Sequence, residues 1–175
     1  MFTVELEEDE ITAGLVRLAS SMDNLIPVMD QIGQYMVAST RQRIADGATP
    51  EGQRFAPKSP ATIQSYLTGG FQKGASAGPL IRTGDMMGMS LHHEAGPDFM
   101  ELSSSALYAA VMHFGAPKGS LGAYSGTDKN GRAFNGVAPW GDIPARPFMG
   151  FSEQDRTNVT DLIADAMTQA WGRPG

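Results

Sequence analysis

Near the start of the chain, apolar residues first alternate with polar ones and then recur every three to four positions. Phe2, Val4 and Leu6 alternate with Thr3 and Glu5, which predicts a short strand over residues 2–6. A first helical stretch follows over about 10–22. Asp23 and Asn24 then offer capping oxygens, and Pro27 falls in a first turn where its missing N–H costs little, so a second helix starts near Leu25. Ile26, Met29, Ile32, Met36, Val37 and Ile44 recur close to the 3.6-residue period, while Asp30, Gln34, Arg41 and Gln42 fall largely on the other side. Gly47 stops this helix. At 1.5 Å per residue it is about 30 Å long, enough to lie along a whole small sheet, and it predicts a two-layer domain.

Ser59-Pro60 reads as a cap followed by proline at the first helical position, opening a short helix through Ile63, Tyr66 and Leu67 that Gly69 and Gly70 close. The glycine-rich stretch 69–78 is expected to be mobile, with order returning over 80–90. Residues 90–95 and 99–103 are strand candidates separated by Gly96-Pro97-Asp98, a turn signal that pairs them as a hairpin. Residues 106–114 are apolar and too short for periodicity to separate helix from a strand-helix transition; helix is the favoured reading. Residues 115–142 are glycine-rich, carry Pro117 and Pro139 and hold few aliphatics, so they form a long loop or a hairpin arm. The last helix is the clearest: Ser152 caps it, Glu153 and Asp155 sit at its positive end, and Val159, Leu162, Ile163, Ala166, Met167, Ala170 and Trp171 form one stripe.

At 175 residues the chain fits a single domain that buries roughly 70% of its unfolded surface. It has no cysteine, which removes disulfides, thiolate metal sites and thiol nucleophiles. No stretch is apolar enough to span a bilayer, and an N-terminus with Glu5, Glu7, Glu8, Asp9 and Glu10 is unlike a basic signal segment, so assembly in the cytoplasm without a membrane is expected. The net charge of −6 is uneven: residues 1–40 carry −6 and residues 41–82 carry +4. Without a dense basic stripe, gripping DNA is disfavoured, because nucleic-acid affinity begins with neutralised phosphates. Blocks of opposite sign suit contact between copies instead.

Candidate chemistry is sparse. Adjacent strand residues His92 and His93 point to opposite faces and lack an acidic companion at ligand spacing, and His113 stands apart from them, so no metal site is expected. There is no Gly-x-Ser-x-Gly elbow. The run Gly69-Gly70-Phe71-Gln72-Lys73-Gly74 lacks the Gly-Lys-Ser/Thr ending of a phosphate loop. Asn158-Val159-Thr160, a glycosylation pattern, falls inside the last helix. Nothing brings Glu51, Asp85, Asp98 or Glu101 together as a glycosidase pair. No catalytic residue and no cofactor are expected.

Gly52-Gln53-Arg54-Phe55-Ala56-Pro57-Lys58-Ser59-Pro60-Ala61-Thr62-Ile63 and Leu80-Ile81-Arg82-Thr83-Gly84-Asp85-Met86 resemble two segments of the Mu G-like phage virion morphogenesis family, a glycine and aromatic before Pro-Leu-Ser-Pro-Ala-Thr and its Leu-x-x-Thr-Gly-x-Leu. Tyr108-Ala109-Ala110-Val111-Met112-His113-Phe114-Gly115 and Ile143-Pro144-Ala145-Arg146-Pro147-Phe148-Met149-Gly150 resemble Tyr-Ala-x-x-His-Gln-Phe-Gly and Ile-Pro-Ala-Arg-Pro-Phe-Leu-Gly. Phe55 stands for the usual tryptophan, Lys58 for leucine, and the glutamine after the histidine is missing.

The resemblance implies an α+β fold, an antiparallel sheet packed against a long N-terminal helix and a C-terminal helix. It also implies a structural role in a phage neck or tail end, as a non-enzymatic ring. Physics gives the motifs structural tasks. Two prolines stiffen the segment around Arg146, deliver Phe148 to the core and project the guanidinium as a surface or interface donor, whose truncation would leave stability within about 1 kcal/mol. Thr83-Gly84-Asp85 makes a tight turn, and His113 bonds the loop after it. The expected partners are further copies in a closed, six-fold ring, the tail tube protein and the head connector, with DNA passing an acidic lumen unbound. A head-closure adaptor on the capsid side is the alternative, and a wall-degrading enzyme the alternative of another class. Tyr124, Phe134 and Trp140 are the expected anchors of an arm over about 116–142.

Overall fold

The computed structural model describes residues 8–22, 24–88, 90–127, 131–137 and 142–172. The strand expected over 2–6 and the anchor Trp140 lie outside them. In chain order the elements are α1 (Glu8–Met22), α2 (Ile26–Asp46), α3 (Pro60–Thr68), α4 (Gln72–Ser76), β1 (Leu91–Ala95), β2 (Met100–Ser104), α5 (Ala109–Phe114), β3 (Ala123–Thr127), β4 (Ala133–Val137) and α6 (Glu153–Gly172). The fold is α+β, and the strands form two separate two-stranded sheets, β1-β2 and β3-β4.

The chain divides into two compact units. The first comprises Met1–Ser39, His92–Ser103 and Glu153–Gly175; the second comprises Thr40–Leu91 and Ser104–Ser152. In the first unit, α1 packs on α6. Gly14 makes this possible, since a Cβ there would stand 3.1 Å from the Trp171 indole, and Arg17 donates to the Trp171 carbonyl at 3.0 Å. That bond satisfies a carbonyl that a helix end leaves without an intrahelical donor. Ile32, Met36 and Val37 of α2 are buried, and so is Asp155 on α6. The β1-β2 hairpin meets α2 through His93, whose ring covers Gly33 and whose Nε2 lies 2.8 Å from the Asp30 carboxylate. Gly96 and Phe99, bonded N to O at 2.9 Å, close the turn between the strands.

In the second unit the end of α2 is terminated as its glycine predicts. Gly47 takes φ +69, and its N–H and that of Ala48 both reach the Arg43 carbonyl, a left-handed stop that only glycine adopts freely. The chain then turns back through an isolated bridge between Ala48 and Arg54 and delivers Phe55 to the core. Ser59 caps α3 by accepting from the Thr62 N–H at 3.1 Å, with Pro60 at the first position. The expected mobile stretch contains α4 instead. Gly74 is buried because its Cα faces the Arg82 backbone, so glycine there serves close packing rather than freedom.

The segment 115–142 holds the β3-β4 hairpin, with Tyr124 opposite Gly136 and Phe134 opposite Gly126. Paired bonds between Ala116 and Ile143, at 2.9 and 2.8 Å, close its base, and the Lys118 N–H adds a bond to the Asp142 carboxylate at 2.8 Å.

Candidate interaction site

Four sequence segments converge in the second unit, and prolines explain how. Ala56-Pro57, Pro60, Pro144 and Pro147 contribute carbonyls but remove N–H groups, so backbone acceptors outnumber backbone donors where these stretches meet. Cationic side chains supply the missing donors. Arg146, only 6% exposed, donates from Nε to the Ala56 carbonyl at 2.7 Å, from Nη2 to Pro57 at 2.9 Å and from Nη1 to Pro144 at 3.3 Å. Arg43, also buried, donates to the carbonyls of Phe148 and Gly150 at 2.9 and 3.1 Å. Lys58 spends all three N–H bonds on Gly74, Ala77 and Ile81. A planar fork and a three-donor ammonium suit these tasks because neither needs a nearby carboxylate. Burial lowers the pKa of Arg146; burial, and then the Arg146 charge, lowers that of Lys58.

The expectation that Arg146 projects outward is therefore corrected: its guanidinium ties two proline-rich segments together inside the unit. His113 is corrected in a similar way. Its Nδ1 accepts from the Phe148 N–H at 3.4 Å, thirty-five residues away, and not from the loop that follows it. The ring stacks edge-on against Phe148 and Phe114, at 5.1 and 4.6 Å between centroids. Accepting at Nδ1 requires a neutral ring with its proton on Nε2, and burial pushes the histidine pKa down.

The remaining motif residues take local places. Phe55 and Phe148 are buried, the latter 1% exposed. Ser59 and Pro60 open α3, while Pro144 and Pro147 frame the extended segment that carries Arg146. Thr83 donates its hydroxyl to the Asp85 carboxylate, and Gly84 takes φ +97 to turn the chain into buried Met86. Gly115 ends α5 at φ +76, where a Cβ would meet the Ile143 carbonyl at 2.6 Å. Tyr108 begins α5 and is exposed. Tyr124 and Phe134 lie in β3 and β4, apart from this cluster in the chain, and Trp140 is outside the described residues.

Sequence reasoning missed Arg43, and it read Asp155 only as a helix-dipole acid. Asp155 is a buried carboxylate that accepts from the Tyr35 and Ser39 hydroxyls at 2.9 and 2.5 Å, while Asn158 donates to Tyr35 at 2.8 Å. The polar positions Tyr35 and Ser39, four apart on α2, were the available signal.

Among the described residues, no group of three or more His, Cys, Asp or Glu could hold a metal ion, and no helix is long and apolar enough to cross a membrane. Lys58, His113 and Arg146 of the motifs are occupied in holding backbone. The second unit also leaves large apolar side chains open: Leu107, in the turn before α5, is fully exposed and Phe114, the last residue of α5, is 77% exposed. The chain matches the phage virion morphogenesis family over residues 6–168 and belongs to it. Its role is in building the phage virion. No curated protein and no solved structure matches the chain significantly.

Proposed function

We propose that this protein is a tail-completion subunit, a non-enzymatic ring component at the junction of phage head and tail. The observation that carries this reading is the exposure of Leu107, just before α5, and of Phe114, its last residue, beside the closed base of the β3-β4 arm. Large apolar side chains exposed to this degree supply contact area when a partner covers them. Copies close into a six-fold ring that caps the tail tube and meets the head connector. The β3-β4 arm reaches a neighbouring subunit or the tube. DNA passes the lumen without specific binding, consistent with a net charge of −6.

A null mutant tests the reading: electron micrographs of its lysate should contain DNA-filled heads and separate tails, and complete virions there would sink it. A zymogram on purified peptidoglycan separates this function from wall degradation, since a cleared band would require an enzyme.

A further inference from the structure

The two units are opposite in charge. Among the residues whose side chains are described, the first unit holds eight acidic and two basic side chains, a net of −6, while the second holds four acidic and nine basic, a net of +5. The hairpin β1-β2 and helix α6, remote in sequence from residues 1–39, bring Glu94, Asp98, Glu101, Glu153, Asp155, Asp161 and Asp165 into the acidic unit. Two acidic units repel each other, so contact between like faces of two copies is disfavoured, whereas an acidic unit against the basic unit of another copy is attracted. Such a contact is head-to-tail, the kind that closes into rings.

The acidic unit carries an open groove of about 620 Å³ between α2 and α6, lined by Gln31, Gln34, Tyr35, Asn158, Asp161, Leu162 and Asp165. Its floor is fixed in advance. Asn158 donates to the Tyr35 hydroxyl, which donates to buried Asp155, so Tyr35 and Asn158 are held before anything binds. On its rim Asp161 and Asp165 are four residues apart on α6, exposed, and bonded to no cation among the described residues. Like charges at that spacing are unfavourable in an isolated helix, and an arriving cation removes the penalty. Leu162, between the two carboxylates on the same face of α6, gives the groove its apolar side.

The basic unit offers a match at the α3-α4 hairpin. Arg82 lies over the Phe71 ring, 5.0 Å from guanidinium carbon to centroid, and Lys73 is exposed on α4. Leu67 near the end of α3 and Phe71 just before α4 are exposed and apolar. Unlike Arg43, Lys58 and Arg146, neither Lys73 nor Arg82 spends its head group on a backbone carbonyl among the described residues.

We propose that the α3-α4 hairpin of one copy seats on the α2-α6 groove of the next, with Lys73 and Arg82 meeting Asp161 and Asp165 and with Leu67 and Phe71 against Leu162. This rests on the ring reading above and names the contact that makes the ring.

Sedimentation of the purified full chain tests it. The wild type should self-associate at low ionic strength and lose roughly tenfold or more of that affinity near 1 M salt, where the screening length falls to about 3 Å. Asp161→Lys with Asp165→Lys, and separately Lys73→Glu with Arg82→Glu, should each abolish association while leaving the thermal melt in place. An equimolar mixture of the two variants should associate again, because each reversed face then finds its complement. A wild type that stays monomeric at low salt, variants that associate like wild type, or a mixture that fails to recover would each overturn the contact. The function above stands or falls separately: virions that join normally with the Asp161→Lys, Asp165→Lys protein would discard this contact and keep the tail-completion role.

Discussion

Arg146, like Lys58, holds three backbone carbonyls. Its three carbonyl partners come from two stretches about ninety residues apart, and the nearest backbone N–H groups are missing where proline stands. Arg146→Ala should therefore cost about 2–4 kcal/mol in urea unfolding, since it strands buried acceptors. Arg146→Lys should recover only part of that, because a point ammonium cannot fork to Ala56 and Pro57 together. A loss below about 1 kcal/mol would return the guanidinium to the surface. His113 gives a pH-dependent counterpart. Its folded pKa is lowered by burial, so the folded state binds fewer protons than the unfolded chain, and its contribution is present above the ordinary value of 6.5 and lost as pH falls through the depressed value. Asp30, whose carboxyl His93 holds below its ordinary value of 3.8, titrates below that window. The unfolding midpoint should fall between about pH 7 and pH 5 in the wild type and change less in His113→Ala. Equal slopes in both proteins would remove the histidine from the account. The sequence revealed which residues mattered here and not where they pointed: direction depends on carbonyls supplied by a distant segment.

Among the elements, the helices with a clear apolar stripe were legible, because periodicity is local. Both α2 and α6 lie within a residue or two of their expected bounds, the Ser59-Pro60 cap opens α3, and the turn at Gly96-Pro97-Asp98 joins β1 to β2. Helix α4 was not legible. Its sequence, Gln-Lys-Gly-Ala-Ser, has no apolar period, and its helix is held from outside by the Lys58 ammonium and by packing on the Arg82 backbone. Gly74→Ala tests that explanation. The added methyl has the Arg82 Cα within 2.9 Å and backbone does not give way cheaply, so a destabilisation of about 1–3 kcal/mol is expected despite the better helix propensity of alanine. A stabilised variant would mean that α4 is held by its own sequence.

At the scale of the whole molecule, the family was legible because its motifs are the structural ties of the second unit, and such ties are fixed residue by residue. The charge partition was only half legible, since hairpin β1-β2 and α6 join the acidic unit from distant parts of the chain. The arm belongs to this scale as well. A two-stranded hairpin alone is marginal in water, so β3-β4 contributes little to the stability of a free subunit. Replacing residues 118–138 with a short Gly-Ser linker should leave the thermal melt unchanged and abolish head-tail joining in complementation. Normal phage yield would show the arm to be dispensable. The central claim, that this protein makes the joint, is tested most directly in a null-mutant lysate containing filled heads and free tails. Adding purified protein to that lysate should raise the titre of infectious particles, and the arm-replaced variant should not. A titre unchanged by the intact protein, with heads and tails both present, would contradict the claim.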